Sequence, residues 1–503
     1  MTQVTQDFYF DKKAAASAVR FFERYLVHIK GKWAGEAFRL EKWQQDDIIV
    51  PLFGCRRADG SRQYRTCYIE IPRKNGKSSL CSGIALYLLF ADNEASAEVY
   101  SAAADNLTFD GSSIRGFSAQ RESDLRLGID WSSIFWLPSD VFGPGKVIFF
   151  ATVLNRDHTH YESDFRARLA ELSARLGSQK AITANLAAEI EGFLVNGINA
   201  EQHYDKSVGF SLISSGGYFH SLPLDKLKKF IDTAAEAQRA MGFRNEKDHP
   251  EVAPSQFELN FSYAPAVRAC DMIQLYKLLC RQVAANMGMT ATFLPKPIAG
   301  VNGSGMHMNI SFFKDGKNMF YDADGAEGLS SAAWDAISRI LNHGQELSLI
   351  LNASVNAYRR LDPHFEAPNQ IKVSSVDRSA MVRIPAGNEN SARFEVRSVG
   401  PDANPYLAMY AILRTMLEGK PLEKDKNKRD RVRCLPGNIY DAVRIFRSSE
   451  FMKKLMGPRP HEKYIAFKQA AADRSPKELG TIVKSSEVLF HHEVTDQMLW
   501  HKF

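Results

Sequence analysis

The stretch Asn302-Gly303-Ser304-Gly305-Met306-His307-Met308-Asn309-Ile310-Ser311 restricts the fold more than any other part of the chain. A glycine-bearing turn of small residues runs directly into an alternating segment that extends to Phe313. Alternation of period two is that of a strand, so His307 and Asn309 share one face while Met308 and Ile310 take the other. Glycines let a ligand approach the backbone, and the imidazole can bind a metal or carry a proton. Taken alone, a hairpin turn before a core strand with one satisfied histidine explains the stretch as well. Three other segments place carboxylates in the same way, and together they point to a site.

The first is Ala187 to Leu194, strand-like, with Glu189 and Glu191 two apart and therefore on one face. Like charges so placed are unfavourable without a counterion, and apolar residues crowd both sides. The second runs from His249 to Asn260, where Pro250 and Pro254 argue against a regular helix. There Glu251 precedes a short strand in which Glu258 alternates with Phe257 and Leu259. Helices over Asp225 to Gly242 and Ala264 to Met287 bracket this pair. In the third, Ser391 to Arg397, strict alternation puts Arg393, Glu395 and Arg397 on one face and Phe394 and Val396 on the other. A solvated salt-bridge ladder is the simpler account of that stretch in isolation. Upstream, Tyr358 to Pro368 reads as a proline-braced loop carrying Arg359, Arg360, Asp362 and Glu366. Asp377 to Pro385 adds Arg378 and Arg383.

Five or six carboxylates with one histidine favour Mg²⁺ or Mn²⁺, because zinc sites usually offer more nitrogen or sulfur. Arginines in such number suit planar carboxylates and phosphates. Two metals can clamp a transferring phosphoryl group. The residues thus describe a metal-dependent phosphoryl-transfer enzyme or ligase without naming its substrate. Composition agrees: 503 residues at 45% hydrophobic content can fill more than one domain, and a net charge of +6 calls for no nucleic-acid partner. The six cysteines lack CxxC pairing and read as buried thiols of a reducing compartment. Neither a signal peptide nor a membrane span is legible, so the expected setting is the cytoplasm.

The first hundred residues have a different character. Ala14 to Ile29 is helical in pattern, and Cys67 to Ile71 reads as a buried strand. That strand enters Pro72-Arg73-Lys74-Asn75-Gly76-Lys77-Ser78, and an apolar helix from Leu80 to Phe90 follows. Strand, loop ending in Gly-Lys-Ser, then helix is the context of a phosphate-binding loop, with Asn75, Gly76, Lys77 and Ser78 around the phosphates. Ile71 stands where the first glycine of the usual pattern belongs. Phe21 to Arg24, Lys30 to Glu36, Trp43-Gln44, Pro72 to Ser78 and Ala97 to Ala103 resemble the start of the large subunit of tailed-phage terminases. The resemblance stops near Asp105. A P-loop ATPase also needs an acidic strand end to hold Mg²⁺, and none follows in such a context.

From about Phe109 to Phe503 the chain resembles glutamine synthetase, whose motifs match in order. In that family ATP phosphorylates the γ-carboxylate of glutamate, and ammonia displaces phosphate from the acyl phosphate. The resemblance implies that Glu191, Glu251 and Glu258 hold one metal, and that Glu189, His307 and Glu395 hold another beside the nucleotide. Asn302, Gly303, Arg360 and Arg397 would bind glutamate, while Arg378, Arg383 and Arg393 would face phosphates. Glu366 matches an acid that closes the site. Asp110, Ser113 and Tyr218 would form the ammonium site. Asp110, Glu366 and Arg383 would then be the catalytic groups. In that family Asp110 serves a neighbouring subunit, which implies a ring-shaped homo-oligomer, usually a dodecamer.

The sequence departs from the family at His249-Pro250, Asn309 and Gly192, and it lacks the tyrosine-bearing loop adenylylated in some bacterial members. The family's opening β-grasp strands are replaced by the terminase-like segment. The expected fold is therefore α+β in three parts: a partial P-loop α/β segment (1–105), a truncated β-grasp (106–164) and a catalytic domain with a curved antiparallel sheet (165–503). A γ-glutamyl-amine ligase, a fragment of a DNA-packaging motor and an inactive fusion are the alternatives.

Overall fold

The computed structural model describes residues 8–26, 36–64, 80, 83, 84, 87, 107–111, 124–143, 146–220, 224–365, 367–423, 432–474 and 483–489. The loop 72–78, Ser113 and Glu366 lie outside these residues, as do 424–431 and His491-His492-Glu493. Two compact units emerge: Met1–Leu107 with Leu127–Ile129 and Trp136–Val147, and Thr108–Arg126 with Asp130–Phe135 and Ile148–Phe503.

In the first unit, β1 (Phe8–Phe10) pairs antiparallel with β2 (Cys55–Arg57). The helix Lys12–Tyr25 begins at Asp11, whose carboxylate accepts from Lys13 N and Ala14 N at 2.8 and 2.9 Å. Its buried face, Ala18 and Phe22, packs with Phe38, Ile49, Leu52, Phe53, Leu80 and Tyr87.

Of the remaining strands, β3 (Thr108–Asp110), β4 (Asp124–Trp136) and β5 (Val147–Leu154) form a three-stranded sheet. Asp110 closes β3 opposite Asp124.

The ten-stranded sheet of the second unit comprises β6 (Ile182–Asn196), β7 (Asn245–Pro250), β8 (Gln256–Phe261), β9 (Ala264–Pro265), β10 (Met289–Thr292), β11 (Met306–Lys314), β12 (Lys317–Asn318), β13 (Gln370–Ser374), β14 (Ala380–Arg383) and β15 (Phe394–Val396). Its main path runs β13-β14-β15-β11-β6-β8-β7, antiparallel except between β13 and β14. The long central strand β6 follows helix Phe165–Lys180, which Asp164 caps and which ends as Ala181 takes the left-handed conformation. One face of the sheet is apolar: Met308, Val396, Val382, Ala188, Ile190 and Phe257 are all buried. Helix Ala266–Asn286 packs on β6, and Tyr276 Oη donates to Ile190 O at 2.9 Å. Burying side chains of this size stabilises the sheet by about 1.5–3 kcal/mol each. The large ring of Phe257 needs Gly192 opposite it, because a Cβ there would sit 2.6 Å from its Cζ. That requirement accounts for glycine at 192.

Three expectations need correction. Tyr358, Arg359 and Arg360 are not in a loop: Ser354 Oγ accepts from Ala357 N at 3.1 Å and starts helix Val355–Arg360, and only Pro363–Phe365 beyond it is a looser turn. The strand at Ser391 to Arg397 shrinks to β15, because the chain turns at Asn388, whose carbonyl accepts from Ser391 N and Ala392 N. Not every described cysteine is buried: Cys270 and Cys280 are, Cys55 is half-buried and Cys434 is exposed. No described helix is long and apolar enough to cross a membrane.

Candidate active site

Strand register places the polar groups on the sheet's other face. Directly opposed residues share a face, and Arg383 opposes Glu395, Glu395 opposes Asn309, His307 opposes Glu189, Glu191 opposes Glu258, and Glu258 opposes His249. Six strands therefore contribute to one polar surface beneath which the core is apolar.

Two clusters form there. In the first, His307 Nδ1 lies 3.2 Å from Glu395 Oε1 and 3.6 Å from Glu189 Oε2. Burial opposes ionisation of Glu189, but His307, the Asn309 amide at 3.0 Å and Arg393 outweigh it and hold the carboxyl down at about 2. In the second, His249 lies 3.7 Å from Glu251 and 3.9 Å from Glu258. Burial, then the charges of Glu191, Glu189 and Glu251, push Glu258 well above the usual carboxylate range. Burial and the Glu191 charge raise Glu251. Crowded acids that resist ionisation are the donors a dication satisfies. Two carboxylates and one imidazole per cluster fit Mg²⁺ or Mn²⁺.

The composition of the second cluster differs from the expected trio. Glu191 turns toward the glycine turn, where its Oε2 accepts from Gly305 N at 2.8 Å and from Gln256 Nε2 at 3.3 Å. His249 takes the third place beside Glu251 and Glu258. Its signal was present as the histidine two residues before Glu251, but no periodicity links it to Glu258. Gln256, which also donates to Gly303 O at 3.1 Å, was missed altogether.

The glycines of the turn make room for Arg360. A Cβ on Gly303 would meet Pro295 O at 2.5 Å and Arg360 Cγ at 3.0 Å; one on Gly305 would meet Arg360 Nη2 and His307 Nε2, each at 2.6 Å. Arg360 is buried, donates from Nη2 to Arg397 O at 2.9 Å, and keeps Nη1 buried with no partner among the described residues. Burial lowers its pKa to about 10, with the Glu191 charge opposing. An unpartnered buried guanidinium nitrogen is costly, and an anionic ligand removes the cost.

Of the remaining arginines, Arg383 Nη1 donates to Glu395 Oε2 at 3.1 Å and Arg393 Nε donates to Asn309 Oδ1 at 2.9 Å. Arg397 Nη1 donates to Arg378 O, and its Nε is 3.3 Å from Glu395 Oε1. Arg378 is exposed. The Tyr218 ring lies 4.9 Å from that of His249; burial and the charges of Glu251 and Glu258 raise its phenol. Asn302 is half-buried in the turn itself. Asp110 sits on the three-stranded sheet, not on this face.

The chain has known relatives. The family model for the glutamine synthetase catalytic domain matches residues 162–481. The chain belongs to the glutamine synthetase family. The glutamine synthetases of Staphylococcus aureus strain MRSA252 and Staphylococcus epidermidis are each 36% identical over 385 residues, covering 73% of this chain and 85% of theirs. Among solved structures, Plasmodium falciparum glutamine synthetase shares the fold at a TM-score of 0.66 and 21% identity, covering 76% of this chain and 88% of that one. A GmaS/ADP complex superimposes at a TM-score of 0.64 and 26% identity, over 76% of this chain and 90% of that one. The chain is accordingly an ATP-dependent carbon–nitrogen ligase with the expected α+β fold. Residues 42–107 separately match the ATPase domain of the terminase large subunit.

Proposed function

We propose that this protein joins glutamate and ammonia through γ-glutamyl phosphate, with ATP as phosphoryl donor. The observation that carries the reading is Arg360: a buried, incompletely paired guanidinium beside Gly303, on the same side of the sheet as both carboxylate clusters. It binds the glutamate carboxylate together with Arg397 and the turn at Asn302 and Gly303. Glu189, His307 and Glu395 would hold one Mg²⁺ or Mn²⁺, and Glu251 and Glu258, with Glu191 or His249, the other. Such ions neutralise charge on the transferring phosphoryl group. Arg383 and Arg393, with Arg378, steady the phosphates from the β14–β15 side. Tyr218 and the acids of the second cluster attract the ammonium ion, and Asp110, Ser113 and Glu366 complete its site and help remove its proton.

The partition into a terminase-like segment (1–105), a truncated β-grasp (106–164) and a catalytic domain (165–503) is part of this reading. So are a homo-oligomeric ring, required if Asp110 serves a neighbouring site, and a reducing, cytoplasmic setting. The test is glutamate- and ammonium-dependent release of phosphate from ATP, with glutamine identified by mass spectrometry. Phosphate release without glutamine, or release favouring a primary amine over ammonium, would replace this reading by hydrolysis or by γ-glutamyl-amine synthesis respectively.

A further inference from the structure

A cavity of about 370 Å³ lies beyond the helix Val355–Arg360, away from both carboxylate clusters. None of Asn302, Gly303, Arg360 or Arg397 lines it. Its charged lining residues are Lys296, Arg359 and Asp362. Lys296 is 4% exposed, donates from Nζ to Val301 O, and holds Nζ 3.7 Å from the centre of the Phe365 ring. An ammonium has three donors, and Nζ makes no other hydrogen bond among the described residues. Asp362 supplies the negative charge and is held in place by His364, whose N and Nδ1 contact its Oδ1 at 3.0 and 2.7 Å. Arg359 also lines the cavity, but its guanidinium is engaged with buried Glu487.

A third polar group is unsatisfied. Asn369 Oδ1 is buried and accepts no hydrogen bond among the described residues. The rest of the wall is apolar or aromatic, with Phe365, Leu435 and Pro436. The volume is at the lower end of small-molecule pockets, about 300–1,000 Å³.

From this lining we infer that the cavity binds a small zwitterionic α-amino acid with an uncharged side chain. Lys296 receives the carboxylate, Asp362 and Asn369 Oδ1 receive the ammonium, and the side chain lies on Phe365 and Leu435. A simple anion would meet Asp362, and a simple cation would meet Lys296; only a ligand carrying both charges satisfies both walls. Burial lowers Lys296 to about 8, with Asp362 opposing, so the ammonium form still prevails at neutral pH. The short helix Val355–Arg360 carries Arg359 to this cavity and Arg360 to the catalytic face, so the two sites share a wall.

Cys434 lines the cavity with an exposed thiol and provides a reporter that needs no turnover. The full-length protein would be treated with iodoacetamide, and alkylation of Cys434 followed by mass spectrometry, with L-alanine or L-leucine as the probe. Saturable protection is expected, and acetate or methylammonium at the same concentrations should not reproduce it. Asp362→Asn should weaken protection about tenfold or more, the loss of one charge-assisted hydrogen bond, in a protein whose circular dichroism is unchanged. Isothermal titration of the unmodified protein gives the same answer without any substitution. Absence of protection and of binding heat overturns the inference. So does protection by acetate equal to that by the amino acid, or protection that survives Asp362→Asn but is lost in Arg360→Ala. Because none of these measurements needs catalysis, failure here leaves the ligase reading standing.

Discussion

Replacing Glu395 by glutamine isolates the charge at the centre of the polar face. The side chain is 1% exposed, and three nitrogens surround it: Arg383 Nη1 at 3.1 Å, His307 Nδ1 at 3.2 Å and Arg397 Nε at 3.3 Å. Glutamine keeps the shape but removes the anion and points an amide donor at groups that are themselves donors. Removing one partner of a buried pair costs about 3–5 kcal/mol. Arg383 is 38% exposed, so water screens its share and the lower half of that range applies. If the loss falls on the transition state, turnover drops by about a hundredfold to a thousandfold. The proposed metal beside His307 should also bind more weakly. The assay is glutamine formation over a titration of Mg²⁺ and of Mn²⁺, with circular dichroism to show that the variant is folded. Turnover within tenfold of the parent at equal metal concentration would refute the assignment of Glu395 as ligand and charge centre.

Gly303→Ala should raise the KM for glutamate more than tenfold, since the new Cβ meets Pro295 O at 2.5 Å and must displace backbone; steady-state kinetics with unchanged parameters would contradict the packing argument. Lys77→Ala should leave glutamine synthesis unchanged, because the proposed ATP site is built from the sheet's arginines and acids; loss of activity in a folded protein would show that the two parts are coupled. Lys296 should acetylate with a pH midpoint near 8, not near the ordinary value of 10.5, because burial disfavours its charged form; peptide mass spectrometry across about pH 6–11, a range that spans both values, reads this directly. The terminase-like segment stands where opening β-grasp strands are expected, and unpaired strand edges favour association. Light scattering should therefore show impaired ring assembly and aggregation, and a homogeneous, fully active dodecamer would remove that concern.

Much of the polar face was legible because period-two alternation survives burial. Glu189 and Glu191, His307 and Asn309, and Glu258 between Phe257 and Leu259 could each be assigned a face before any pairing was known. What alternation does not carry is register. Nothing local to His249 or Glu258 says that they oppose each other, and nothing near Glu191 says that its carboxylate is taken by Gly305 N. Helix Val355–Arg360 was obscured by Pro363 and Pro368 downstream, although Ser354 offers an N-cap signal immediately upstream. The β15 strand was overextended because alternation continues through Arg393 and Arg397 after the pairing has ended.

The strand order also gives the face a polarity. From β14, β15 and the residues flanking β15 come Arg383, Arg393 and Arg397 around the single acid Glu395; from β11 and β6, in the middle, come His307, Glu189 and Glu191; from β8 and β7, with the turn between them, come Glu258, His249 and Glu251. Charge thus runs from cationic to acidic across the sheet, with mixed groups between. In the proposed reaction a polyanionic phosphoryl donor would be stabilised at the arginine end and an ammonium ion at the acidic end. Arg360, reaching the glycine turn between them, would fix a carboxylate substrate where the two meet. Reaction between a phosphorylated acid and an amine requires that meeting, and a sheet ordered otherwise would bring the same side chains together without it.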